Sequence, residues 1–267
     1  MSGGESLECE QIHSLQDYIS FVRRGQPDIA TFIYRGQPAQ KVNIDGPESD
    51  TYLLPSLFRQ HMRSIGSLRV LETQLLSDFR REAPAHLKNI PSTEIGWMAL
   101  AQHHGLPTRL LDWTTNPLVA LFFAVEDTSA EFDSDVYKGR IYDAQIYDSG
   151  DSTENEEDEL FFKFHMPTYN DRRLEAQASC FTLHPLIEFY EQNKFYNHFT
   201  NVVPQELNVE KCMVPRHLFG IIKAELHEIG VSYKTMFPGL DGLCKSVRYQ
   251  NTADREPLRE PFPPLGS

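Results

Sequence analysis

The sequence predicts an α+β fold: a single domain whose small mixed or antiparallel sheet is packed by helices. Three observations predict it. Short runs rich in β-formers and bounded by turn residues read as strands, at Ala30 to Tyr34, Gly139 to Tyr147, Leu160 to Phe164, Ala178 to Leu183 and Val209 to Val214. Helical periodicity stands between them, as at Leu68, Leu71, Leu75, Leu76 and Phe79. The two kinds of segment are interleaved irregularly, which fits α+β better than the regular alternation of a parallel sheet.

Taken in order, an acidic lead over 1–13 is expected to be unstructured through residue 10. Ser14 then caps a helix with Asp17 in its first turn, and Gly25-Gln26-Pro27 ends it. The strand of Ala30 to Tyr34 runs into Arg35-Gly36. Tyr52 to Arg59 is a turn with an apolar body. The Leu68 to Phe79 helix stops at Pro84, and a further helix covers Glu94 to His104, with Gly105 as stop. Asn116-Pro117 is a strong helix start, asparagine at the cap and proline at the first helical position, and Leu118 to Val125 is apolar all round, so that helix is buried. Residues 148–159 hold seven acids and no base and read as a solvated loop insertion. Short helical segments are expected at Asp171 to Ala176 and Pro185 to Asn193, a longer one from Pro215 through His227, and a last one after Met236 to Leu243. The domain is bounded at 14–249, and 250–267, with four prolines, is a tail.

Composition excludes several classes of function. The 267 residues carry a net charge of -13, which disfavours non-specific nucleic-acid binding and adsorption to anionic membranes. Cys9, Cys180, Cys212 and Cys244 are isolated, without the spacing of a structural zinc site. The lead has no signal-peptide pattern and no apolar run reaches membrane-spanning length, so a reducing, cytoplasmic setting is expected.

The window from Gln102 to Ala124 is the densest in groups that need fixed partners: His103, His104, Arg109, Asp112, Trp113, Thr114, Thr115 and Asn116. Thr114 and Thr115 precede a buried helix start, whose free N–H groups suit an anion or a ligand carbonyl; capping by Thr115 or Asn116 is the alternative. Only one of His103 and His104 can face a cleft, because neighbours on a helix point apart. Arg35 at a strand end can fork onto a phosphate or carboxylate, or form a structural ion pair. Arg109 is expected to pair with Asp112 in one loop. Cys180 reads as a buried strand residue, and Trp97 and Trp113 as core.

Tyr34-Arg35-Gly36-Gln37, Leu54-Pro55-Ser56-Leu57-Phe58-Arg59, Gln102 to Thr114, Arg173 to Phe181 with Gln177, and Met236 to Leu243 together resemble the motifs of the FRG domain family, in family order. The resemblance spans about Leu15 to Arg248. Ser179 stands where the family usually has glycine, and Gly239 where it usually has aspartate. A fainter similarity to arginine-type ADP-ribosyltransferases implies an early strand ending at Arg35-Gly36, a Thr114-Thr115 element before a helix, and a third element around Glu175-Ala176-Gln177 that lacks a clear Glu-x-Glu.

That similarity implies NAD as ligand and either ADP-ribosyl transfer to a protein acceptor or NAD cleavage. The catalytic set expected from it is Arg35, Glu175, Gln177 and His104, and the binding set is Arg35, Gly36, Gln102, Arg109, Thr114 and Thr115. Glutamine can accept a ribose hydroxyl but brings no charge to an oxocarbenium-like transition state, which implies a slow enzyme or a pure binder. Arg35, Arg59, Arg109, Arg172 and Arg173 all lie in motif segments; if they converge, they make a positive pocket for an anionic small molecule such as a nucleotide. The rival reading is a non-catalytic module that senses a nucleotide or holds a protein in the same pocket. A hydrolase using His104 and Asp112 ranks last.

Overall fold

β-Forming residues at 30–37 and 134–142 pair along their full length, from Ala30 opposite Tyr142 to Gln37 opposite Asp135, and this antiparallel ladder is the spine of a mixed sheet. The structure is a computed structural model and describes residues 9–25, 30–37, 53–60, 65–142, 163–167, 172–184 and 207–252. In chain order the elements are β1 (Cys9–Gln11), α1 (Leu15–Arg23), β2 (Ala30–Gln37), α2 (Ile65–Glu82), α3 (Glu94–His103), β3 (Leu110–Thr114), α4 (Pro117–Ala124), β4 (Ser134–Tyr142), β5 (Lys163–His165), α5 (Arg172–Ala176), β6 (Ser179–Leu183), β7 (Glu210–Val214), α6 (Phe219–Glu228), α7 (Tyr233–Met236) and α8 (Leu240–Asn251). Short 3-10 turns lie at Ala83–His86 and Arg216–Leu218. Among the described residues the seven strands form one sheet in the order β1-β7-β4-β2-β3-β6-β5. Only β1–β7 is parallel; the other pairs are antiparallel. The architecture is the expected α+β one.

Period-two alternation along the strands builds two apolar layers. Tyr34 of β2 and Val136 of β4 join α1, α4 and α6 in one core; their neighbours Ile33 and Tyr137 join Trp113, Leu111 and Cys180 in another. In α4, Val119, Ala120, Leu121, Phe122 and Ala124 are each at most 1% exposed. Full burial of one Leu or Phe side chain contributes about 1.5–3 kcal/mol, so this helix is a main anchor of the fold. Its start is built as expected: the Asn116 side chain accepts from the Leu118 N–H (3.0 Å) and Pro117 follows. The Tyr18 hydroxyl donates to the Pro117 carbonyl (2.6 Å) and pins α1 to that start.

Several expectations need correction. Residues 1–10 are not unstructured to their end, because Cys9–Gln11 adds a parallel edge strand to β7. Residues 110–114, which the sequence pattern leaves without an element of their own, are strand β3, held by five paired positions with β6. Strand β4 begins at Ser134, ahead of the expected Gly139, and the short helix α7 was not anticipated. The acidic loop at 148–159, the helix expected from Pro185 to Asn193 and the tail after residue 252 lie outside the described residues. Among the described residues no helix is long and apolar enough to cross a membrane.

Candidate functional site

The sheet, α3, α4 and α5 enclose a cleft of about 640 Å³, within the size range of small-molecule sites. Strand β2 supplies Arg35, Gly36 and Gln37, α3 supplies Gln102 and His103, and β3 supplies Asp112 and Thr114. Arg173 and Gln177 come from α5 and the turn after it, and Phe123, Glu126, Asp127 and Tyr233 close the far side. A smaller compartment of about 150 Å³ adjoins it and shares Arg35, Gln102 and Asp112; Ser56, Arg59 and Gly105 complete its polar lining.

Close packing behind the wall explains the glycine. A Cβ on Gly36 would sit 1.7 Å from the Ala120 carbonyl oxygen, so only glycine lets β2 and α4 approach this closely. The next residue along the wall is fixed by hydrogen bonds. Arg35 Nη1 donates to the Asp112 backbone carbonyl (2.7 Å), and its Nε and Nη2 donate to Gln37 Oε1 (3.3 and 3.2 Å). Burial lowers the Arg35 pKa from the ordinary arginine value; the Asp112 charge works against that shift and the nearby Arg59 charge adds to it. Burial likewise lowers Arg59, opposed by Asp112.

The β3 end ties three segments together. Thr114 Oγ1 donates to the Gln177 carbonyl (2.7 Å) and accepts from the Asn116 N–H (3.0 Å). Thr115 binds the same turn, its N–H donating to the Ala178 carbonyl (3.0 Å). The left-handed backbone in this turn falls at Ala178 (φ 45°), one residue before Ser179, which is a strand residue buried in the cleft wall. The serine that stands in the usual glycine place therefore meets no need for left-handed backbone.

The expected residues divide into two groups. Arg35, Gly36, Gln102, Thr114 and Gln177 line the one cleft. Thr115 and Glu175 do not line it; Glu175 is exposed on α5. His104 caps the C-terminus of α3 and is exposed, while His103 is the histidine in the wall, edge-on to His104 at 5.1 Å. Arg109 lies outside the cleft, and its expected partner is corrected: it is 7% exposed and pairs with Glu72 of α2 at 3.2 Å, not with Asp112. Arg109 sits in the bend just before β3 with its side chain buried against α2, whereas Asp112 is the exposed residue of the strand. Of the other motif arginines, Arg59 and Arg173 reach the cleft or its annex and Arg172 lines neither.

The sequence gives no sign of Tyr34, Gln37, Phe123, Glu126, Asp127 and Tyr233 as lining residues, and Asp112 enters as a functional residue only in the last-ranked hydrolase reading, not in the nucleotide pocket. A signal for Asp112 was present. In Leu110-Leu111-Asp112-Trp113-Thr114 the acid is the exposed position between buried Leu111 and Trp113.

Behind Arg35 lies a buried polar chain. Trp113 Nε1 donates to Thr182 Oγ1 (2.9 Å), and Thr182 Oγ1 is 3.1 Å from His184 Nε2. Burial, reinforced by the Arg35 charge, pushes His184 down to about 3. A histidine lowered in the folded state leaves full stability above its unfolded pKa of about 6.5 and loses it steadily as pH falls towards 3. Between pH 7 and pH 5 this group is expected to remove about 1–2 kcal/mol. Chemical denaturation at the two pH values checks it: His184→Gln should lose less stability on acidification than the parent, and equal losses would show that His184 is not the responsible group.

The comparisons with known proteins bear on the wall rather than on the whole pocket. The family model of the FRG domain matches residues 30–133, the stretch that contains Arg35, Gly36, Gln102, Asp112 and Thr114. No curated protein and no solved structure matches the chain.

Proposed function

The chain carries an FRG domain over residues 30–133, and from that premise we propose that its cleft binds a nucleotide, NAD first among them, as an ADP-ribosyltransferase-like or NAD-cleaving enzyme. One observation carries the reading. Arg35, Gly36, Gln102, Thr114 and Gln177 come from separate stretches of sequence and line one cleft. The cleft mixes charges: Arg35 and Arg173, with Arg59 beside it, offer a phosphate local anchors among the carboxylates Asp112, Glu126 and Asp127.

In this role Arg35 anchors phosphate with the fork that already grips Gln37 and the Asp112 carbonyl. Gly36 holds this wall in place by letting β2 pack directly on the α4 backbone. The Gln177 side chain spends one amide N–H on the Met236 carbonyl (3.1 Å), and its amide oxygen is the acceptor it offers a ribose hydroxyl. Phe123 and Tyr233 supply apolar surface for a base.

Two observations favour the second reading, a binding module without turnover. The Thr114 hydroxyl is committed to Gln177 and Asn116 within the fold, and Gln177 carries no charge to steady a developing cation.

Calorimetric titration with NAD and ADP-ribose, paired with chromatographic detection of nicotinamide, tests both. Binding by the parent is expected, and Arg35→Ala should weaken it about 10- to 100-fold, the range for a charge-assisted hydrogen-bonded contact. Absence of binding by the folded parent, or an unchanged affinity in Arg35→Ala, overturns the nucleotide reading. Binding without nicotinamide release above background leaves the sensor and removes the enzyme.

A further inference from the structure

Asp112 is the acid that the cleft leaves for a ligand. Three carboxylates line the large cleft, and two are occupied within the fold. Glu126 pairs with Lys245 at 3.3 Å, and Asp127 Oδ1 accepts from both the N–H (3.0 Å) and the hydroxyl (2.6 Å) of Ser129. Asp112 differs in position. It is the exposed residue of an otherwise buried strand, and it lines both the large cleft and the small compartment.

The charges around it say what chemistry it meets. Arg35 and Arg59 face the single Asp112 carboxylate in the small compartment, and Gly105, just past the C-cap of α3, lines it. A helix C-terminus brings about half a negative charge. Because Arg35 is shared with the large cleft, little net positive charge is left to hold a phosphate in the small compartment. Its lining suits a neutral group rich in hydroxyls. Arg35, Gln102 and Asp112 form the boundary between the two compartments, so a phosphate on Arg35 would put the attached sugar beside Asp112. A carboxylate accepts two sugar hydroxyls at once.

We propose that Asp112 binds the ribose diol of the ligand and selects ribonucleotides over deoxyribonucleotides, with the sugar seated at the mouth of the small compartment. The inference rests on the nucleotide reading of the same cleft and goes beyond it by naming the sugar and the residue that reads it. A site that hydrogen-bonds a hydroxyl disfavours the analogue that lacks it, because the bound ligand then covers the carboxylate without replacing the water it held.

The test uses the full chain and four probes: ADP, 2′-deoxy-ADP, 3′-deoxy-ADP and inorganic pyrophosphate, titrated into the parent and into Asp112→Asn. The parent should prefer ADP at least about tenfold over one of the two deoxy analogues. Asp112→Asn should cut that preference to under about threefold while binding pyrophosphate more tightly, because the counter-charge of Arg35 and Arg59 is gone. Tighter pyrophosphate binding also shows that the variant is folded. Equal affinity of the parent for ADP and both deoxy analogues overturns this proposal and leaves the nucleotide reading standing. So does an undiminished preference in Asp112→Asn. Loss of pyrophosphate binding together with ADP binding in the variant marks Asp112 as structural and overturns the proposal. A parent that binds none of the nucleotides overturns this proposal and the functional reading together.

Discussion

Glu72→Ala is expected to lower the unfolding free energy by about 3–5 kcal/mol, the cost of stranding one partner of a buried ion pair. Glu72 is 5% exposed on α2 and Arg109 is 7% exposed at the entry to β3, with 3.2 Å between their charged groups. Removing the carboxylate leaves a guanidinium away from water with its counter-ion gone. The pair is not itself a strong source of stability, because two desolvated charges recover little more than they lose. The double variant Glu72→Leu with Arg109→Met should therefore be much closer to the parent than either single change. Denaturant melts of the parent, Glu72→Leu, Arg109→Met, the double variant and Glu72→Ala check this; a double variant as unstable as Glu72→Ala would show that the loss comes from packing around α2 and not from the abandoned charge.

Gly36→Ala is the second large effect. The new Cβ meets the Ala120 carbonyl oxygen at 1.7 Å and the Ala124 nitrogen at 2.9 Å, both of them backbone atoms that no rotamer change moves. Overpacking costs about 1–3 kcal/mol where side chains can yield. Here β2 must separate from α4, so the loss should reach or exceed the upper end of that range, with a matching fall in Tm. Gly105→Ala is a useful contrast. Its Cβ would meet no atom within 4 Å, but its φ of 92° strains any residue with a side chain. Its penalty is conformational alone and should be the smaller of the two, about 1–2 kcal/mol. If Gly36→Ala proves as mild as Gly105→Ala, the tight seam between strand and helix is wrong.

What could be read from the sequence divides by distance along the chain. The Asn116-Pro117 cap and the Ser14 cap were legible because a cap is made by residues two or three apart, and both side chains accept the hydrogen bonds their positions call for. Strand β3 was not, because Leu110–Thr114 owes its extended form to β6, about seventy residues later. Strand β1 has three exposed residues and no pattern of its own; pairing with β7 is what makes it a strand. In the cleft, Arg35 and Gly36 were legible as a strand end followed by a glycine. Arg109 shows the opposite case: its nearest acid along the chain was Asp112, while its partner in space, Glu72, lies on a helix that sequence spacing gave no reason to place there. The far side of the cleft, with Glu126, Asp127 and Tyr233, depended on how α4 and α7 come together, which no local signal carries.

The parallel pairing of Cys9–Gln11 with Lys211–Met213 has a consequence in time. During synthesis the first of these strands leaves the ribosome some two hundred residues before the second. At about 5–20 residues per second it waits on the order of ten seconds or more for a partner. Closing so long a loop carries a large entropic cost, so this contact slows any folding route that needs it early. Of the described strands β7 is the last to emerge, so this edge is the last part of the sheet that a growing chain can complete.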